Sequence, residues 1–148
     1  MSVAGYAPLT AARFIRQKLI QHLGLAADIG LNVYDQPPRE DVTRYVLMTP
    51  VSAEDLMVVG AVRIWTNMLW QVEYWARTSD GGVTAAGAAL IDDALHGTSG
   101  EMTGSTYGDG YVWTCYRERA LVLPPEIDGN VTWRRAGGAY RCLVSATT

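Results

Sequence analysis

Two cysteines, Cys115 and Cys142, are too few to staple a chain of 148 residues, so this one must hold itself together by burying a core. Both fall in apparent strands and read as buried thiols, with a bridge between neighbouring strands left open. Nowhere do eighteen apolar residues run together, so no stretch reads as a membrane-spanning helix. The N-terminus lacks a basic region followed by a continuous apolar one, so secretion is not expected and synthesis in a reducing cytoplasm is. Positive charge is also short: 12 Lys and Arg face 15 Asp and Glu, a net charge of −3. That balance argues against independent nucleic-acid binding, which normally needs a basic stripe. Histidine is scarcer still. His22 and His96 each sit near the end of an expected helix, where an imidazole serves the helix dipole. No Cys/His spacing suits zinc, so no metal or other cofactor is expected.

What is present is 49% apolar and 18% charged, the balance of a globular protein, and the length suits one domain over residues 1–148. The most informative stretch is 64–77. From Met68 the even positions read Met68, Trp70, Val72, Tyr74, Ala76, and the odd ones Leu69, Gln71, Glu73, Trp75, Arg77. Alternate side chains of a strand point to opposite faces, so this is a strand with one apolar face and one mostly polar face. Trp65 and Trp75 fall with the polar set. An indole on a wet face needs a cover, either a neighbouring subunit or a local loop such as 124–130.

In chain order, residues 1–7 read as frayed, and Pro8 opens an amphipathic helix to about Leu23, stopped by Gly24. Its apolar stripe is Ala12, Ile15, Leu19 and Leu23. Leu31–Tyr34 is a short strand before a Pro37-Pro38 loop, and Tyr45–Thr49 a strand closed by Pro50. Residues 51–60 suit either a helix start or a hairpin arm, and are taken as a mobile hairpin tip. A helix follows the Asp80-Gly81-Gly82 turn, with Val83, Ala86, Gly87, Leu90, Ile91, Ala94 and Leu95 at helical spacing and small residues that permit close approach to a sheet. Residues 98–110, rich in Gly, Ser and Thr, read as a mobile loop. Tyr111–Val122 is a long strand ended by Pro124-Pro125. Residues 131–146 read as two strand pieces around a turn or bulge at Gly137-Gly138.

Few residues offer chemistry. Asp92 and Asp93 are adjacent on an exposed helix face and do not face each other. Glu73 and Glu118 are better explained by a solvated sheet face than by a catalytic pair. The glycine-rich 104–110 segment lacks the GK[ST] ending of a phosphate loop and precedes a strand, not a helix. Arg134-Arg135 is too small a basic cluster to read nucleic acid. No catalytic residue is expected, and the chain is not read as an enzyme.

The order of parts carries more. A helix, a short strand with Val33-Tyr34 and Pro37-Pro38, then Tyr45-Val46, the strand ending Tyr74-Trp75-Ala76-Arg77, an Ala-rich helix closing on Ala94-Leu95 and a C-terminal run of strands follow one another. This order resembles the tail terminator (tail completion, minor tail) proteins of long, non-contractile-tailed bacteriophages, over residues 8–146. The resemblance implies an α+β fold of two layers, with two helices on one face of a mixed, mainly antiparallel sheet. It further implies a hexameric ring at the head-proximal end of the virion tail, which caps the tube, ends its polymerisation and joins the head. The partners implied are further copies of the chain, the tail tube protein and the head-tail connector, with DNA passing through the lumen without specific binding and no membrane involved. The expected contact residues are Trp65, Glu73, Trp75 and Arg77 on the central strand, Leu56 and Met57 at the hairpin tip, and Tyr107 and Asp109 in the glycine-rich loop. Two rival readings stay open. One is a head-tail connector or neck protein. The other is a small ligand-binding domain whose pocket on the open sheet face is lined by Trp65, Trp75, Arg117 and Arg141.

Overall fold

The computed structural model describes residues 5–39, 41–58 and 62–146, apart from the side chains of residues 58 and 62–64. In chain order the elements are α1 (Ala7–Gln21), α2 (Leu23–Ile29), β1 (Val33–Tyr34), β2 (Arg44–Val58), β3 (Val62–Arg77), α3 (Gly81–Leu95), β4 (Thr98–Met102), β5 (Gly110–Val122), β6 (Glu126–Asp128) and β7 (Val131–Ala146). The strands form one sheet in the order β1-β2-β3-β7-β5-β4, with β6 paired to part of β7. Among the described residues only β1–β2 is parallel; every other pairing is antiparallel. The fold is α+β, as the resemblance implies, with three helices where two were expected.

The even positions of β3 from Met68 to Ala76 all face the core. Met68, Trp70, Val72, Tyr74 and Ala76 are buried against Phe14, Ile15 and Leu19 of α1, Leu25 and Ile29 of α2, and Ile91, Ala94 and Leu95 of α3. β7 adds Tyr140, Cys142 and Val144, and β5 adds Val112 and Cys115. Two buried tyrosines tie helices to this sheet. The Tyr74 hydroxyl donates to Asp28 of α2, whose other oxygen accepts from Arg44 at 2.8 Å. The Tyr140 hydroxyl donates to Asp92 of α3 at 3.0 Å, with Arg117 Nε 3.6 Å from the same oxygen. Asp92 therefore turns toward the sheet, and only Asp93 keeps the exposed position expected of both.

Several expected boundaries move. The first helix ends at Gln21, not Leu23, and its buried stripe is Thr10, Ala11, Phe14, Ile15 and Leu19. Leu23 is 86% exposed and begins the separate helix α2, with Gly24 inside it. His22 caps that helix at its N-terminus. Its Nδ1 accepts from Leu25 N at 3.2 Å, so Nε2 carries the hydrogen that meets Asp93 of α3 at 2.7 Å. Pro50 does not close its strand, because β2 continues through a bulge between Pro50 and Ser52 to Val58. A proline is tolerated at a sheet edge or a bulge, and beyond Leu47 this strand has no neighbour on its outer side among the described residues. Gly137-Gly138 lies inside one unbroken 16-residue strand, β7. A Cβ on Gly137 would sit 2.0 Å from the Val72 carbonyl oxygen, so close approach to β3 requires glycine there.

Candidate interaction surface

The sheet's far face is not a plain solvated surface. Tyr45 of β2 and Trp75 of β3 are directly opposed, and their rings stack at 5.9 Å with 6° between planes. Trp133 meets both edge-on at 5.9 and 6.4 Å, and Tyr34 meets Tyr45 edge-on at 6.0 Å. The Arg135 guanidinium lies 5.0 Å over the Trp75 ring. Beneath this cluster Glu73 is only 3% exposed, hydrogen-bonded by Gln71 and 3.5 Å from Arg135, which also reaches Glu126 of β6 at 3.5 Å. The solvated reading of Glu73 is thus corrected: a second small core forms here, where β6 folds back on β7. Trp75 is half-buried within it, and its indole N–H has no partner among the described residues. Arg77, at the strand end, is exposed and pairs with Asp41 at 3.6 Å.

The other half of this face lies open. Leu69, Arg141 and Tyr116 sit in one row across β3, β7 and β5, and Asn67, Leu143 and Thr114 in the next. Tyr111 and Trp113 touch at 4.7 Å, and Trp113 is 58% exposed, lifted out at a bulge in β5. Arg141 is held by Glu118 at 2.9 Å and by Asn67 at 2.9 Å, so Glu118 meets an arginine and not Glu73. The pocket expected from Trp65, Trp75, Arg117 and Arg141 does not form. Arg117 belongs to the opposite face, where it joins Asp92 of α3.

The hairpin at the end of β2 and β3 extends the sheet at one end. Among the described residues, the last pairing of β7 with β3 is at Thr66, and beyond the Asp55–Thr66 pair β2 and β3 are paired with each other and with no third strand. Leu56, opposite Trp65, and Met57 are about half exposed. The expected hairpin is present as two paired arms reaching Val58 and Val62, with residues 59–61 outside the described ones.

The segment 98–110 departs furthest from its reading as a loop. Thr98–Met102 is an edge strand on β5. The rest is a compact turn organised by Asp109, whose carboxylate accepts from Ser105 N at 2.8 Å and from Arg13 at 3.2 Å. Arg13 also donates to the Gly108 carbonyl and, at 2.8 Å, to that of Thr103, and Tyr6 N donates to the Tyr107 carbonyl at 2.7 Å. Asp109 therefore serves the turn itself, while the Tyr107 ring is exposed.

Burial and the Asp28 bond push the Tyr74 phenol up to about 12, and burial beside Asp92 raises that of Tyr140 further. Cys115 and Cys142 face each other directly across β5 and β7 as free thiols, with Cys142 raised by its contact with Cys115 and by burial. Among the described residues no group of three His, Cys, Asp or Glu is placed to hold a metal ion.

The search of curated proteins gives no match. A chain from the virion of a native gene transfer agent particle shares the fold with a TM-score of 0.68, at 22% identity over 90% of this chain and 92% of that one. The family model for tail completion protein gp17 matches residues 13–109, from α1 through the central hairpin and α3 to the Asp109 turn. This chain belongs to the tail completion protein gp17 family, and so to the structural proteins of the bacteriophage tail.

Proposed function

We propose that this protein closes head-to-tail into a hexameric ring at the head-proximal end of the tail, where it caps the tube, ends its polymerisation and presents the surface that joins the head. The observation carrying this reading is the β2–β3 arm, which projects past the last β7 pairing with apolar Leu56 and Met57 uncovered. Apolar side chains on a projecting arm gain free energy only when something covers them. A heterologous contact repeated around a closing rotation forms a ring with two unlike ends, which suits a part that meets the tube on one side and the connector on the other. The activity is geometric, without catalysis, and the whole chain acts as one domain. The surfaces proposed for contacts are the arm with Trp65, the exposed Tyr107 beside its organiser Asp109, and the strand end with Trp75 and Arg77. Glu73 acts there through Arg135 and does not touch the partner itself. With a net charge of −3, DNA passes the lumen without being retained.

Negative-stain images of the purified protein are expected to show rings with a central hole. Added to polymerising tail-tube protein, it is expected to shorten the tubes and bind one end of each. A protein of one-chain mass that leaves tube length unchanged overturns the reading. Binding to the connector but not the tube reassigns it to the neck.

A further inference from the structure

On the helical side of the sheet, α3 leaves the far end of β5 uncovered. A groove of about 400 Å³ opens there, floored by Ala85 and Ala88 of α3 and by Ala120 and Val122 of β5. Val122 is 90% exposed, an extreme value for valine in a strand. Arg117 and Arg134 also line it. Arg134 makes no ion pair among the described residues, its Nε donating only to the Ser79 carbonyl at 3.1 Å. The groove is therefore apolar inside with positive charge on its border.

The arm carries the matching pattern. Leu56 and Met57 supply exposed apolar side chains, and the neighbouring Glu54 supplies negative charge. An arm cannot enter the groove of its own chain. Leu56 is level with Trp65, whereas Val122 is level with Ala136 and Tyr74, nine residues further along β3. At about 3.3 Å per residue the two lie roughly 30 Å apart, at opposite ends of the sheet. A protrusion at one end and a complementary recess at the other define a contact that each copy makes twice, once as donor and once as acceptor.

We propose that the β2–β3 arm of one copy docks into the α3–β5 groove of the next, with Leu56 and Met57 against Val122 and the alanines, and Glu54 beside Arg134. This rests on the ring reading and specifies its contact. The small side chains of α3 provide the room, and the acid–arginine match sets the direction of the chain of contacts. The open aromatic patch of Tyr111, Trp113 and Tyr116 stays free for a partner other than this chain.

The test uses the full chain and native mass spectrometry, with circular dichroism to check folding. Val122→Glu and Met57→Glu replace exposed side chains and are expected to keep the fold while weakening self-association roughly tenfold or more. Glu54→Arg and Arg134→Glu are each expected to do the same, and the double exchange to restore part of it. When Met57→Cys and Val122→Cys proteins are mixed and oxidised with diamide, a disulfide should join one chain of each kind. Rings that survive Val122→Glu and Glu54→Arg, or cross-links that form only between like variants, overturn the arm–groove contact and leave the ring standing. A wild-type chain that stays single at all concentrations overturns both.

Discussion

Gly87 is the residue at which the local rule and the tertiary structure predict opposite signs. It sits mid-helix in α3, in a run of alanines, where Gly→Ala ordinarily stabilises by about 1 kcal/mol because glycine has more backbone entropy to lose. Here a Cβ would lie 2.3 Å from Tyr74 Cγ and within 2.5 Å of both adjacent ring carbons. Those atoms cannot retreat easily. Tyr74 is fully buried, and its hydroxyl is anchored to Asp28 of α2. Overpacking of this kind costs ~1–3 kcal/mol, with this geometry at the upper end. Against the propensity gain, Gly87→Ala should therefore destabilise by about 2 kcal/mol, or roughly 4–8 °C in Tm for a chain of this size. Urea unfolding measures it as a lower midpoint at unchanged slope. Ala86→Gly, on the exposed side of the same turn, isolates the propensity term and should cost ~0.5–1 kcal/mol. In a Tyr74→Ala background the sign should reverse, with Gly87→Ala then stabilising. A Gly87→Ala protein as stable as the wild type, or more so, refutes the claim that α3 rests on the Tyr74 ring.

Alkaline titration followed by tyrosinate absorbance should show Tyr74 and Tyr140 ionising only above the ordinary range near 10. Because the folded Tyr74 pKa is raised from 10.0 to about 12, its contribution to stability is fully present below pH 10 and is lost as pH rises toward 12; unfolding that is independent of pH across that window contradicts it. Neither buried cysteine should react with an aromatic disulfide reagent in the native protein, and both should react at once after urea unfolding; rapid labelling of the folded protein contradicts their burial.

Periodicity was legible along the chain because backbone geometry alone sets it. The alternation from Met68 to Ala76 named five core residues, all buried, and the spacing in α3 placed Gly87, Ile91, Ala94 and Leu95 against the sheet. The phase differs at a few helical positions: in α3 Ala86 is exposed and Thr84 buried, and stopping α1 at Gln21 leaves Leu23 in solvent.

Where strands end, and what covers their second face, depended on distant chain. Pro50 and Gly137 carry strong local signals to stop, yet β2 survives its proline at an edge bulge, and β7 requires its glycine because β3 passes close by. Thr98–Met102 has no strand pattern of its own and becomes a strand because β5 offers it hydrogen-bonding groups. The direction of Arg117 and the enclosure of Glu73 by Arg135 and Gln71 likewise follow from pairing register and from β6 folding back on β7. Side-chain alternation is a property of one strand. Hydrogen-bond partners and van der Waals neighbours are properties of two segments far apart in sequence, and only the folded chain brings them together.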